Sequence, residues 1–226
     1  MIIAGVEHRV AGILADSSIA SAVKAGNIQI DPYNEAQLNP TSYDLTLGSE
    51  VRVYKRWVAY DEYYSSPGPL GLGAAANQAT GNKPRDGSDF IANNSFVLDT
   101  KQEPETVAFK IDPEVGWVLK PGIGYLMHTR ERIWTQKYVP IVDGKSSIGR
   151  LFLLIHFTAG YGDPNFNGQY TLEVSALHPV RVYPGMRIGQ IRFHTIEGEL
   201  AKPYNGNYVG ATAQGAVASR AWRQFK

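Results

Sequence analysis

The chain has 226 residues, 43% of them apolar, with a formal net charge of +1, enough apolar side chain for one sizeable core, and all-β folds of this length are commonly single domains. A near-neutral balance, with a pI near 7.9, leaves no electrostatic footprint for duplex nucleic acid or an anionic membrane, so any cation that matters acts locally. There is no cysteine, which removes disulfides, thiol catalysis and every zinc site that uses a thiolate.

The opening residues, MIIAGVEHRVAGILA, are interrupted by Glu7, His8 and Arg9 and lack the unbroken apolar stretch of a signal peptide. No run approaches the ~18 apolar residues of a membrane span. The expectation is a soluble cytoplasmic protein with neither membrane nor nucleic acid as partner. Asp16-Ser17-Ser18 offers N-cap oxygens, Ile19, Ala20 and Val23 share a helical face, and Gly26 stops a short helix. Ile28 and Ile30 alternate as a strand that Asp31-Pro32 turns. In the next strand Tyr43, Leu45 and Leu47 point one way and Asp44 and Thr46 the other, which predicts half-burial, and the chain runs past a Gly48 kink into Val51 and Val53.

Residues 65–88 have no apolar period and are dense in Gly, Pro, Ala and Asn, which reads as a long surface loop, passive or acting as a lid. Strand signals resume at Ser95–Leu98, Val107–Phe109 and Gly122–Met127. Leu151 to Ile155 is an apolar run expected to be a buried strand. Asn167-Gly168 is a hairpin signal, after which Thr171, Glu173 and Ser175 share a face opposite Leu172, Val174 and Ala176. Further strands flank Pro184-Gly185, and a slip in apolar phase at Gly189-Gln190 predicts a bulge. The tail from Asn205 is small and polar, as a disordered terminus would be, yet carries Trp222 and Phe225, which a solvated tail does not need. Many short strands and one clear helix argue for a mainly β fold, a barrel or a jelly-roll-like sandwich with a short N-terminal helix, over residues 1–226 as a single domain.

The segment Gly144-Lys145-Ser146-Ser147-Ile148-Gly149-Arg150 has a glycine-led turn, hydroxyls and flanking cations, which suit either a phosphate cradle or a solvated polar turn. Its spacing is not that of a Walker A loop. Glu173, mid-strand among apolar neighbours, is an ion-paired or rim carboxylate or else a proton shuttle. Asp163 before Pro164 is a turn former, and His156 after the apolar run is a hydrogen-bonded core residue or a base. The five histidines have no metal-ligand spacing.

Five motifs in order give these residues a common setting. Asn39-Pro-Thr-Ser-Tyr-Asp-Leu-Thr-Leu-Gly48, Asp143–Arg150, His156–Glu173, Tyr183-Pro-Gly-Met-Arg-Ile-Gly-Gln190, and the closing pair Lys202-Pro-Tyr-Asn with Gln214–Arg220 resemble the dCTP deaminase branch of the trimeric dUTPase-like superfamily. The likeness spans about residues 12–54 and 97–226 and leaves out a family-atypical insert at 55–96. It implies a distorted β-barrel assembled as a homotrimer with active sites between subunits, and a C-terminal lid over residues 205–226.

The resemblance further implies that dCTP is hydrolysed to dUTP and ammonia without zinc. Glu173 would take a proton from a water positioned by Ser146 and the backbone near Ala159, and would return protons to N3 and the leaving ammonia. Arg150 would orient Glu173. Lys145, Ser147, Thr158, Ala159, Asp163, Gln190, Tyr204 and Gln214 would bind the nucleotide, with Ser146, Ser147 and Arg150 serving a neighbour's site. Mg²⁺ is expected only on the triphosphate, and dTTP is a candidate inhibitor. Three positions depart from the pattern: Lys145 replaces an arginine, Tyr161-Gly162 replaces a bulkier apolar residue before Asp163, and Asn207 replaces a lysine. The rival readings are a bifunctional deaminase that also converts dUTP to dUMP and pyrophosphate, and a non-catalytic deoxynucleotide-sensing trimer.

Overall fold

A computed structural model of the protein describes residues 12–54, 58–59, 90–91, 98–208 and 215–226. The loop expected at 65–88, residues 95–97 of an expected strand, and Gln214 lie outside the described residues. Helix α1 spans Asp16–Lys24 and buries Ile19 and Ala22, so Ala22 and not Ala20 completes its inner face. No side chain caps it, Ala15 holding the N-cap position, and Gly26 at φ +73° reverses the chain into β1, Ile28–Asp31. The left-handed turn is one that glycine adopts without a Cβ penalty.

The remaining strands are β2 (Leu38–Asn39), β3 (Ser42–Thr46), β4 (Glu50–Tyr54), β5 (Val58–Ala59), β6 (Phe90–Ile91), β7 (Thr106–Lys110), β8 (Trp117–Leu119), β9 (Tyr125–Thr135), β10 (Tyr138–Gly144), β11 (Leu153–Leu154), β12 (Asn167–Ala176), β13 (Val180–Val182) and β14 (Arg187–Thr195). One sheet runs β11-β12-β9-β4-β7 with β1 also on β9, and a second runs β10-β14-β3-β2. Both feed one core: Tyr43 and Leu45 from β3 with Leu47 just after it, Leu172 and Val174 from β12, and Ile188, Ile191 and Phe193 from β14 are essentially inaccessible. The mainly β expectation is met by two distorted sheets sharing a core, and their ladders do not close into a barrel among the described residues. No helix among those residues is long and apolar enough to cross a membrane.

Several local expectations are corrected. Strand β3 is buried on both faces, because Asp44 and Thr46 point at polar partners inside the fold and not at solvent. The apolar run Leu151–Ile155 is not a buried strand: only Leu153 and Ile155 are buried, β11 is a two-residue edge pairing on Ala176 and Ser175, and Leu151, Phe152 and Leu154 are exposed. Asn167-Gly168 is no hairpin turn, since both residues are already paired with Trp134 and Ile133. The reversal comes earlier, where Asn165 takes φ +77° and the Phe166 N–H donates to the Asp163 carbonyl at 3.1 Å.

The bulge foreseen near Gly189 is present as a register shift between Arg187 and Gly189. The length of β9 was hidden in the sequence by its charges. Glu131 is nearly inaccessible and accepts from Gln37 Nε2 at 3.1 Å, the Thr46 N–H at 2.9 Å and Thr46 Oγ1 at 2.6 Å. A buried carboxylate satisfied by neutral donors leaves no apolar period to read.

Candidate active site

The loop after β11 is drawn along β10 as though it were another strand. The Val142 N–H donates to the Gly160 carbonyl at 2.7 Å, the Gly162 N–H donates to the Pro140 carbonyl at 2.8 Å, and Ile141 bridges Tyr161. A Cβ on Gly160 would lie 2.4 Å from the Val142 oxygen, so the approach requires glycine there. This seam fixes Ala159 to Asp163 as one wall of a pocket of about 450 Å³. Strand β12 supplies the floor with Tyr170, Thr171 and Glu173, and Tyr54 and Leu126 close it from β4 and β9.

The tail forms the remaining wall through Tyr204, Tyr208, Val217 and Ser219. It is docked, not free. The Gly215 N–H donates to Gln169 Oε1 at 2.7 Å, the Val217 N–H to Thr171 Oγ1 at 3.0 Å, and the Arg220 N–H to the Tyr208 hydroxyl at 3.2 Å. The Tyr54 phenol is raised by burial, and a hydrogen bond from the Ser219 main chain pulls the other way. Trp222, half-buried, carries Lys226 over its ring at 4.2 Å, whereas Phe225 is exposed.

Glu173 is half-buried in this pocket, and its Oε2 accepts from the Phe157 N–H at 3.2 Å. Ala159, Asp163 and Tyr204 line the same space. Thr158 stands exposed beside it without lining it. The wall contains two carboxylates, Asp163 and Glu173, and no lysine or arginine among the described residues. Such a surface can hold a neutral base and move protons. It cannot by itself neutralise a triphosphate.

The serine turn lies elsewhere in the chain. It is a single helical turn, α2, Ser146–Gly149, pinned by buried Ile148, with Ser146, Ser147 and Arg150 exposed. Gln190 supports it from β14 and does not line the pocket: its Nε2 donates to the Gly144 carbonyl at 2.9 Å while its Oε1 accepts from Ser42 Oγ at 2.9 Å. Lys145 is ion-paired with Asp44, which is fully buried. Asp44 also accepts from Asn39 Nδ2 at 2.8 Å and has Arg187 Nη1 3.1 Å away, an ion pair without hydrogen-bond alignment.

Within one chain, therefore, Glu173, Ala159, Asp163 and Tyr204 come together, while Lys145, Ser146, Ser147, Arg150 and Gln190 form a separate group. Arg150 and Glu173 make no ion pair in the chain. The sequence reading missed Tyr54 and Tyr170 on β4 and β12, and Phe166 and Tyr208, whose only signal was to be aromatics in a polar loop and tail.

Likenesses to known proteins bear on this arrangement. A family model described as dCTP deaminase-like matches residues 13–64 and 85–196. A "dCTP deaminase, dUMP-forming" of Hathewaya histolytica is 37% identical over 200 residues, 88% of this chain and 92% of its own length. A protein of the same description from Cytophaga hutchinsonii is 38% identical over 182 residues, covering 80% of this chain and 82% of its own. The crystal structure of a 2'-deoxycytidine 5'-triphosphate deaminase from Agrobacterium tumefaciens superposes with a TM-score of 0.52 at 22% identity. That match covers 85% of this chain and 51% of the other, so the chain spans about half of that structure and the likeness is one of fold.

Proposed function

The chain belongs to the dCTP deaminase-like family, and from that premise we propose that it is a bifunctional enzyme that deaminates dCTP and hydrolyses the resulting dUTP to dUMP and pyrophosphate. The dUMP-forming descriptions of its relatives favour this over release of dUTP as the end product, the reading that the sequence motifs alone put first. The first step adds water across C4 and expels ammonia, giving dUTP. The second adds water at the α-phosphorus and expels pyrophosphate.

The observation that carries the reading is the division of chemistry in the fold. The pocket has a carboxylate, Glu173, held by the Phe157 N–H, among aromatic walls and without a cation among the described residues, while the Ser146 and Ser147 hydroxyls on α2 and the Arg150 cation that follows it stand exposed. Both halves are met if α2 of one copy reaches the pocket of its neighbour in a homotrimer. Glu173 then takes a proton from the attacking water and returns it to N3, and next takes the proton of the C4 hydroxyl and delivers it to the leaving nitrogen. Ser146 and the Ala159 backbone hold that water, and Arg150 of the neighbouring copy orients the carboxylate.

Mg²⁺ carried on the triphosphate would supply the charge that the pocket lacks. The docked tail acts as the lid.

The test is to incubate the protein with dCTP and Mg²⁺, and separately with dUTP, and to quantify ammonia, dUTP, dUMP and pyrophosphate. Ammonia and pyrophosphate in equal amounts from dCTP are expected. Ammonia with accumulating dUTP would return the single-activity deaminase, and neither product would leave a nucleotide-binding trimer.

A further inference from the structure

Helix α2 is a single turn of four residues, Ser146–Gly149, too short to hold its own place. Lys145 stands at its N-cap with extended backbone, and no side chain caps it. Where the turn sits is therefore set by what grips it from elsewhere. Ile148 anchors its underside in the core. Its entry, Gly144-Lys145, leaves the β10–β14 ladder at the pair Gly144 and Gly189.

That entry is held from two strands away. Asp44 on β3 is opposite Gln190 on β14, and Gln190 is opposite Asp143 on β10, so the three form one row on one face of the sheet. Adjacent strands lie about 4.8 Å apart, which puts roughly 10 Å between Asp44 and β10, a gap that a long lysine stem can close. The Lys145 ammonium closes it by pairing with Asp44. In the middle of the row, Gln190 Nε2 donates to the Gly144 carbonyl at 2.9 Å and its Oε1 accepts from Ser42 Oγ at 2.9 Å. At the far end Asp44 is fully buried, accepts from Asn39 Nδ2 at 2.8 Å and has Arg187 Nη1 3.1 Å away. A buried carboxylate is strongly destabilising when a cationic partner is withdrawn, so the charge of Asp44 decides where the Lys145 ammonium rests.

We propose that Asp44 is a positioning residue. Through Lys145 it fixes the entry to α2, and with it the place of Ser146, Ser147 and Arg150, so that it acts on the neighbouring copy's pocket and not on its own. This rests on the reading of a homotrimer with shared sites given above. Asp44 and Lys145 do not line the pocket of their own chain, and Asp44, being fully buried, touches no substrate. Its leverage is geometric, since a catalytic group displaced by about 1 Å loses roughly 100-fold in rate.

Ammonia release from dCTP and Mg²⁺ in single turnover compares wild type with Asp44→Asn, which keeps the shape and an oxygen for Asn39 but not the charge. A loss of about 10- to 100-fold is expected, in a protein that still assembles and melts above the assay temperature. Lys145→Gln should match that loss within about 3-fold, and the double variant should be no worse than either alone, because both changes cut one tether. Losses that multiply would overturn the proposal, as would an Asp44→Asn rate within about 3-fold of wild type. The decisive measurement is made between chains. Asp44→Asn refolded together with Glu173→Gln should regain about a quarter of wild-type activity, which a merely structural role within its own chain does not produce. No regain, while Arg150→Ala and Glu173→Gln chains do complement, overturns the role of Asp44 alone; failure of both pairs overturns the shared site as well. Should Asp44→Asn not fold, Lys145→Gln takes its place in the mixture with the same expected regain. A wild type that releases ammonia without pyrophosphate rejects the bifunctional reading, while the same ratios still decide Asp44. One that releases neither overturns both.

Discussion

Glu173→Gln isolates the proposed proton shuttle because the structure limits what else the change can disturb. The side chain is half-buried, with one oxygen accepting from the Phe157 N–H at 3.2 Å. Glutamine keeps the length and an oxygen for that N–H, so the pocket wall and the docked tail should survive. What disappears is the carboxylate proposed to accept a proton from water. General-base assistance contributes roughly 10²- to 10⁴-fold, which corresponds to about 3 to 5 kcal/mol of barrier. Ammonia release from dCTP in single turnover should fall by that factor, while Kd for dCTP by calorimetry stays within about 3-fold, less than one ordinary hydrogen bond. A rate within about 10-fold of wild type would refute the role given to Glu173. A Kd that rises in step with the rate loss would refute the claim that the residue acts on the reaction and not on the shape of the pocket.

If the site is completed by a neighbour's α2, Glu173→Gln and Arg150→Ala chains, each inactive alone, should complement when unfolded and refolded together. Random assembly gives about a quarter of sites both intact groups, so deaminase activity near that fraction is expected, and none would place the two groups in one chain. A second prediction concerns stability. Burial holds the His128 imidazole below its usual value of 6.5, the Thr129 carbonyl opposing the shift, and its Nε2 is buried with no partner. The unfolded chain then takes up a proton that the fold refuses, so stability is flat above about pH 6.5 and declines as pH falls below it. Tm measured from pH 7.5 to 5.5 should show that decline, and His128→Gln should flatten it. A parallel profile in the variant would mean that another group titrates.

The alternation in β12 was legible because sheet strands expose every second residue: Thr171, Glu173 and Ser175 on one side, Leu172, Val174 and Ala176 on the other. The same rule failed at β3. Asp44 reads as a solvent residue by period, but Lys145, some hundred positions away, pairs with it inside the fold. It failed again at Leu151–Ile155, where Leu153 and Ile155 reach the core but Leu151, Phe152 and Leu154 stay exposed beside a two-residue edge pairing. Glu131 shows the converse, a charge buried in β9 because Gln37 and Thr46 happen to converge on it.

By itself the sequence determined the strand-rich class, the motif order that places the chain in its family, and the carboxylate, serines and cations on which the proposed chemistry draws. These are properties of residue type and local spacing. Only the tertiary structure decided which of them meet. The seam of Ala159–Asp163 along β10 and the docking of the tail on Gln169 and Thr171 both depend on partners distant in the chain. So does the separation of Glu173 from Arg150. They lie 23 positions apart in sequence, but one belongs to a strand in the middle of a sheet and the other to an exposed turn, and sequence distance carries no record of that.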